Sequence, residues 1–165
     1  MPLTTDIASA LNDQVNMELA ASHLYLAMVS RFEAMDLPGF AHWMRKQSEE
    51  EREHAFRLFE YLIDRGHEVA LTAIGAPNLP APDVRKLVEA VGAHEAKVSG
   101  SINNIYAMAV EKKDFATQAH LDWFVTEQVE EEKQVADILG RLDLIEKGGG
   151  TLFMVDKELS QRGGD

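Results

Sequence analysis

No cysteine occurs among the 165 residues. Disulfides, cysteine-ligated zinc and thiolate-held iron–sulfur clusters are thereby excluded, and the absence suits a reducing compartment without proving one. Basic residues are few: 16 against 28 acidic ones, for a net charge of −12. That balance argues against nucleic acid as a partner, because phosphate binding needs clustered Lys and Arg. It is compatible with cation handling, although many soluble proteins are acidic. No apolar run approaches the roughly 20 residues needed to span a bilayer. The segment Met1-Pro2-Leu3-Thr4-Thr5-Asp6 has no basic stretch leading into an apolar one, so no secretory signal is expected. We expect a cytoplasmic protein that does not engage membranes. With 45% hydrophobic and 27% charged residues, the chain reads as one globular domain over residues 1–165.

Long period-2 runs are also missing, while apolar residues recur at helical spacing almost throughout. An all-α fold is expected. The first helix runs from about Thr5 to Met35. Asp36-Leu37-Pro38 reads as a helix start, with Asp36 as cap and proline in the first turn. The second helix continues to Arg65, and Gly66 is a natural stop. Ala81-Pro82-Asp83 opens a third helix that ends at Glu111-Lys112-Lys113. Asp114 caps a fourth that reaches about Lys147. After Gly148-Gly149-Gly150, a short fifth helix covers about 151–160, and the tail from Arg162 to Asp165 is expected to be disordered.

Connection lengths set the topology of the bundle, which covers about residues 5–147. The tight joins near Asp36 and Asp114 imply two antiparallel hairpins. Between them, His67 to Pro80 is a connection of 14 residues. Extended at about 3.3 Å per residue it reaches roughly 46 Å. A helix of about 29 residues is roughly 44 Å long. The connection can therefore cross the whole bundle and leave helices two and three parallel.

The apolar stripes of these helices carry acids. Glu18 interrupts the stripe of Leu11, Tyr25 and Phe32. In the second helix Gln47, Glu51 and His54 share a face with Met44, Leu58 and Leu62. Glu95 lies between Val91 and Val98, and Gln128 and Glu131 interrupt Leu121, Phe124, Val135 and Ile138. Their spacing repeats: Glu18 to Glu51 is 33 residues, and so is Glu95 to Gln128. A shift of 77 positions carries Glu18, Glu51 and His54 onto Glu95, Gln128 and Glu131. Six polar side chains are thus expected in one layer.

A single such glutamate is usually a surface charge in a misjudged register. Four at matched heights are not, since burying an ionised carboxylate costs several kcal/mol against a whole-domain stability of about 5–15 kcal/mol. No Lys or Arg lies on the stripes. Raised pKa values could neutralise some of the acids, but multivalent cations are the simpler compensation. Carboxylates with one imidazole suit hard or borderline metals, and iron best among redox-active ones.

A Glu on each of two helices and a Glu-x-x-His on the others is the layout of di-iron bundles. Here it stands as Glu18, Glu51-Arg52-Glu53-His54, Glu95 and, with the second His replaced, Gln128-Val129-Glu130-Glu131. With these motifs, over nearly its entire length, the sequence resembles the ferritin family, and within it the haem-free bacterial and archaeal ferritins. The resemblance implies a ferritin-like four-helix bundle with a long crossover and a short fifth helix. It implies a ferroxidase that oxidises Fe(II) with dioxygen or hydrogen peroxide and stores ferric mineral in a shell of 24 copies, the fifth helices meeting about four-fold axes. Glu18, Glu51 and His54 would hold one iron. Glu51 would bridge to a second, held by Glu95 and Glu131 with Gln128 close by, and Tyr25 would be a hydrogen-bond partner and possible electron donor.

Prokaryotic ferritins carry a third iron position, whose pattern is present as Glu50, Glu127, Glu130 and Glu131; the same residues also read as a solvated acidic face. Haem-containing relatives have Glu-x-x-His in both hairpins and Met after the bridging Glu. This chain has Gln128-x-x-Glu131 and Arg52, so no haem is expected. His23, His42, His67, His94 and His120 fall off the ligand stripe, and Met28, Met35, Met44 and Met108 read as packing. Trp123 is near enough to Glu127 in sequence to adjoin the centre. Two rival readings keep the same bundle: a di-iron peroxide reductase of the rubrerythrin kind, which usually adds a Cys-rich domain, and a helical interaction protein with a structural ion.

Overall fold

The structure, a computed structural model, describes residues 3–161; the expected disordered tail lies outside the described residues. Five helices and no strand occur among them: α1 (Thr5–Glu33), α2 (Pro38–Asp64), α3 (Val84–Glu111), α4 (Phe115–Glu146) and α5 (Leu152–Ser160). Cross-helix bonds fix the directions. Ser22 and Ser48 exchange hydroxyl-to-carbonyl bonds of 2.7 Å each, α1 against α2. Arg85 pairs with Asp143 near one end of the α3–α4 hairpin, and the Tyr106 hydroxyl donates to Asp122 near the other. Gln47 bonds Glu131 and Arg65 pairs with Asp114, so α2 runs antiparallel to α4 and hence parallel to α3. The crossover lies along α1: Asn12 and Asn16 bond the backbone at Ala70 and Thr72, and Arg31 donates to the Pro80 carbonyl.

All four long helices end alike. Asp36, Gly66, Lys113 and Gly148 have φ of 57°, 80°, 55° and 84°. The N–H of the following residue then bonds five positions back: Leu37 to Phe32, His67 to Leu62, Asp114 to Ala109 and Gly149 to Leu144. Each is a left-handed closure that satisfies otherwise orphaned helix carbonyls. Asp36 therefore does not cap α2, contrary to the sequence reading. The join is so short that the closure of α1 takes Asp36, and the cap position falls to Leu37, whose side chain has no acceptor. α5 supplies it instead. Asp156 accepts the Phe40 N–H at 3.0 Å. Asp83 and Asp114 do cap their own helices, accepting from Lys86 and Thr117 N–H.

The apolar core is split. One cluster gathers Tyr25, Phe32, Phe40, Trp43, Val91 and Ile138 with Val155 and Leu159 of α5. A second gathers Ile7, Leu11, Leu58, Ile102, Leu121 and Phe124. The stripe positions between them along all four long helices are polar, and Glu18, Glu51, His54, Glu95, Gln128 and Glu131 are all buried there.

α5 sits so close to α2 that a Cβ added at Gly39 would lie 1.7 Å from the Asp156 carbonyl oxygen. Backbone cannot swing aside as a side-chain tip can. Gly39→Ala is therefore expected to undock α5, read as protease cleavage within the Gly148–Gly150 join. Gly100→Ala, which meets open space in α3, leaves the join protected. Equal protection of both variants would contradict the close approach.

Candidate metal centre

Each helix contributes to the layer through its own stripe. α1 brings Glu18, α2 brings Glu51 and His54, α3 brings Glu95, and α4 brings Gln128 and Glu131. Neutral donors hold three of the four carboxylates. Gln14 Nε2 donates to Glu18 Oε1 at 2.7 Å, and Gln47 Nε2 donates to Glu131 Oε2 at 2.6 Å. The Tyr25 hydroxyl donates to Glu95 Oε1, while Gln128 Nε2 reaches Glu95 Oε2 at 3.1 Å.

Neither Glu51 oxygen has a hydrogen-bond partner, and His54 Nδ1 lies 3.6 Å from Glu51 Oε2. Glu18 Oε2, Glu131 Oε1 and His54 Nδ1 are likewise buried without a hydrogen-bond partner. Native structures rarely leave such atoms orphaned, so five in one layer require an explanation. One ligand atom each from Glu18, Glu51 and His54 lie within 4.8 Å of one another, and His54, Glu127 and Glu131 form a second such group. Metal–oxygen and metal–nitrogen bonds of about 2.0–2.2 Å place ligands of one ion up to about 4.4 Å apart, close to that spacing. All five orphans are acceptors or can act as one, the chemistry a divalent cation requires.

Burial raises the proton affinity of every acid in the layer. It pushes Glu51 and Glu131 up to about 8, reinforced by neighbouring carboxylates. Glu18 is raised well above its usual range by burial and by Glu51. Glu95 is raised by burial, opposed by the Tyr25 and Gln128 bonds. The phenol of Tyr25 is also raised, by burial and by Glu95. Trp123 closes one side: its ring meets the His54 ring edge-on at 5.2 Å, and the Arg57 guanidinium lies 4.0 Å from its ring centre.

A ferritin-like domain family model matches residues 8–145. The chain is 35% identical over 163 residues to the bacterial non-heme ferritin of Staphylococcus saprophyticus, covering 99% of this chain and 98% of that protein. It is 37% identical to that of Bacteroides fragilis, with 97% and 99% covered. The open pore ferritin of Archaeoglobus fulgidus superposes with a TM-score of 0.92 at 40% identity, covering 97% of this chain and 98% of that one. The chain belongs to the ferritin family. Its fold is the ferritin fold, as the resemblance implied, with the crossover that the connection lengths allowed.

Within this ferritin the six expected residues do reach one layer, but not as one uniform cage. Glu95 belongs to neither close group; both its oxygens already accept hydrogen bonds. Glu127, which the resemblance makes part of a third iron position with Glu50, Glu130 and Glu131, is half-buried beside His54 and Glu131. Glu50 is also half-buried, whereas Glu130 is exposed and joins no such group among the described residues. The sequence reading gave no role to Gln14, Gln47 or Ser99. Gln14 had a signal, lying one turn before Glu18 on a face that is otherwise apolar.

Because the folded-state values of Glu51 and Glu131 lie near 8, above the roughly 4.3 of an unfolded glutamate, the native state holds the extra protons between those limits. The contribution of these groups to stability is complete below the lower value and is lost as pH rises through about 8. Metal-stripped protein should melt lower at pH 8.5 than at pH 6, and Glu131→Gln should flatten that slope. Cation binding at pH 7 should release protons, measurable by pH-stat. An isotherm without proton release would contradict the raised values.

Proposed function

We infer that this ferritin oxidises ferrous iron at the buried layer and stores the product as ferric mineral inside a shell of its own copies. The five orphaned acceptor atoms, two of them on Glu51, carry this reading. In it Glu18, Glu51 and His54 hold one ferrous ion. Glu51, with neither oxygen hydrogen-bonded, bridges to a second, for which Glu131 and Glu95 are the remaining ligands and Gln128 a neighbour. Each ion gives up one electron, and dioxygen or hydrogen peroxide accepts the pair; with dioxygen, two protons complete one hydrogen peroxide.

The residues perform defined tasks. Four acidic side chains favour the higher charge of the ferric product. Gln14, Gln47 and Gln128 orient carboxylates without adding positive charge, and metal binding displaces the protons that burial keeps on the acids. Tyr25 orients the Glu95 carboxylate through its hydroxyl. Glu127, within reach of His54 and Glu131, begins a third position with Glu50 and Glu130, leading product out of the layer. Haem has no assigned place, since Arg52 follows Glu51 and the curated relatives are named non-heme ferritins.

The assembly follows the same reading. Phe115, Phe153 and Met154 are 73%, 74% and 55% exposed in the subunit, and α5 turns two of them outward. Large apolar groups left bare mark contact surfaces, here between copies in a shell of 24. No helix among the described residues is long and apolar enough to cross a membrane, and we place the shell in the cytoplasm.

Adding ferrous iron in air and following ferric absorbance tests the chemistry. Glu51→Ala and His54→Ala should each lose the fast phase while slow mineral growth persists. A variant as fast as the parent would remove Glu51 or His54 from the centre. Sizing chromatography should show a species near twenty-four chain masses; a monomer would overturn the shell.

A further inference from the structure

Glu95 differs from the other acids of the layer. Its Oε1 accepts from Tyr25, and its Oε2 accepts from Gln128 Nε2 at 3.1 Å. Gln128 is 4% exposed, and its amide faces three acceptors at once: Glu95 Oε2, the Glu95 carbonyl at 3.3 Å and Ser99 Oγ at 3.3 Å. Ser99 has already committed its one proton, because its hydroxyl donates to Glu132 Oε1. Toward Gln128 it can only accept.

A file of bonds results, in which the Gln128 amide donates inward to the buried Glu95 carboxylate and outward to the Ser99 hydroxyl, which in turn donates to the exposed Glu132 carboxylate. Its outer members lie in a groove of about 240 Å³ between α3 and α4, lined by Ser99, Asn103, Val125, Gln128 and Glu132. Ser99 is one helical turn beyond Glu95, and Glu132 is one turn beyond Gln128. Glu95 and Ser99 thus share one face of α3, and Gln128 and Glu132 share the facing side of α4.

We propose that Glu132 and Ser99 are positioning residues that fix the amide orientation of Gln128, and through it the carboxylate of Glu95, so that a residue on the surface sets how strongly the centre takes its second cation. The inference rests on the two-ion reading above. Without Glu132, the Ser99 hydroxyl is free to turn and donate to the Gln128 carbonyl. The amide then rotates and brings its oxygen against Glu95, lone pair facing lone pair. Without Ser99, only the Glu95 carbonyl and carboxylate hold the amide. Glu18, Glu51 and His54 share no bond with this file, so the effect falls on one cation and not on the other.

Titration of metal-stripped protein with cobalt(II), followed by its visible absorption, separates the two binding steps. In the parent we expect two ions per chain. Ser99→Ala should weaken the weaker step about tenfold or more, the usual scale for losing a partner that orients a ligand, and leave the tighter step unmoved. Ser99→Thr keeps the hydroxyl and should restore parental binding, which excludes misfolding as the cause. Ser99→Ala combined with Glu132→Ala should be no worse than Ser99→Ala alone, because both act through one chain. Unchanged binding in Ser99→Ala, equal weakening of both steps, or additive losses in the double variant would each overturn the positioning role alone. A parent that takes one ion per chain would overturn both this role and the two-ion reading.

Discussion

Four carboxylates share a buried layer that cuts the core in two, and the rest of the fold is arranged around that fact. Apolar side chains would have filled the gap between the clusters around Phe32 and Leu58 at no electrostatic cost. Acids there cost several kcal/mol each when ionised, and the raised proton affinities of Glu18, Glu51 and Glu131 record it. The layer is coherent only because the helices agree in height. Both hairpins close through one left-handed residue, Asp36 and Lys113, and the crossover, tethered along α1, lets the second hairpin begin at the same end as α2. One residue more in either join would rotate a ligand off its stripe.

The choice of partners inside the layer follows from the same constraint. Every donor to these acids is uncharged: Gln14, Gln47, Gln128 and Tyr25. At the end of the bundle the protein solves a similar problem differently, setting Arg65 against Asp114 at 3.1 Å with Thr117 and Tyr61 around them. There the pair is complete and acts structurally. An arginine among Glu18, Glu51 and Glu131 would have satisfied them equally well and left nothing for a cation to bind. Amides and a phenol orient the acids while leaving the charge deficit open.

The sequence made much of this legible, because periodicity reports which face a residue occupies and equal spacing reports its height. Glu18, Glu51, His54, Glu95, Gln128 and Glu131 came from those two rules alone, and the parallel α2 and α3 came from the lengths of the connections. What stayed hidden depends on finer geometry. Asp36 carries a cap-forming side chain, yet its backbone conformation was decided by the closure of α1. The docking of α5 depends on Gly39 and Asp156, more than a hundred positions apart, and no periodic pattern links them. Glu95 was correctly placed on its face, but a face does not reveal that both oxygens are already held. Glu127 lies off the stripe and entered only through the family resemblance, yet in α4 it reaches His54 from the side.

These finer features make the layer asymmetric, and the asymmetry has a chemical sense. Glu18, Glu51 and His54 offer orphaned atoms in one compact group, restrained only where Gln14 holds one Glu18 oxygen, so on the reading argued here a first cation meets mostly uncommitted ligands. A second meets Glu131, restrained by Gln47 on one oxygen, and Glu95, restrained on both. Matched cages would fill together and hold their contents equally. Unequal ones let the first ion settle at a position of full donor strength, while the second depends on acids whose orientation is set from outside. For a centre whose product must leave, a weaker second position is an advantage: an ion bound tightly at both would remain as a structural metal, and the layer would turn over once.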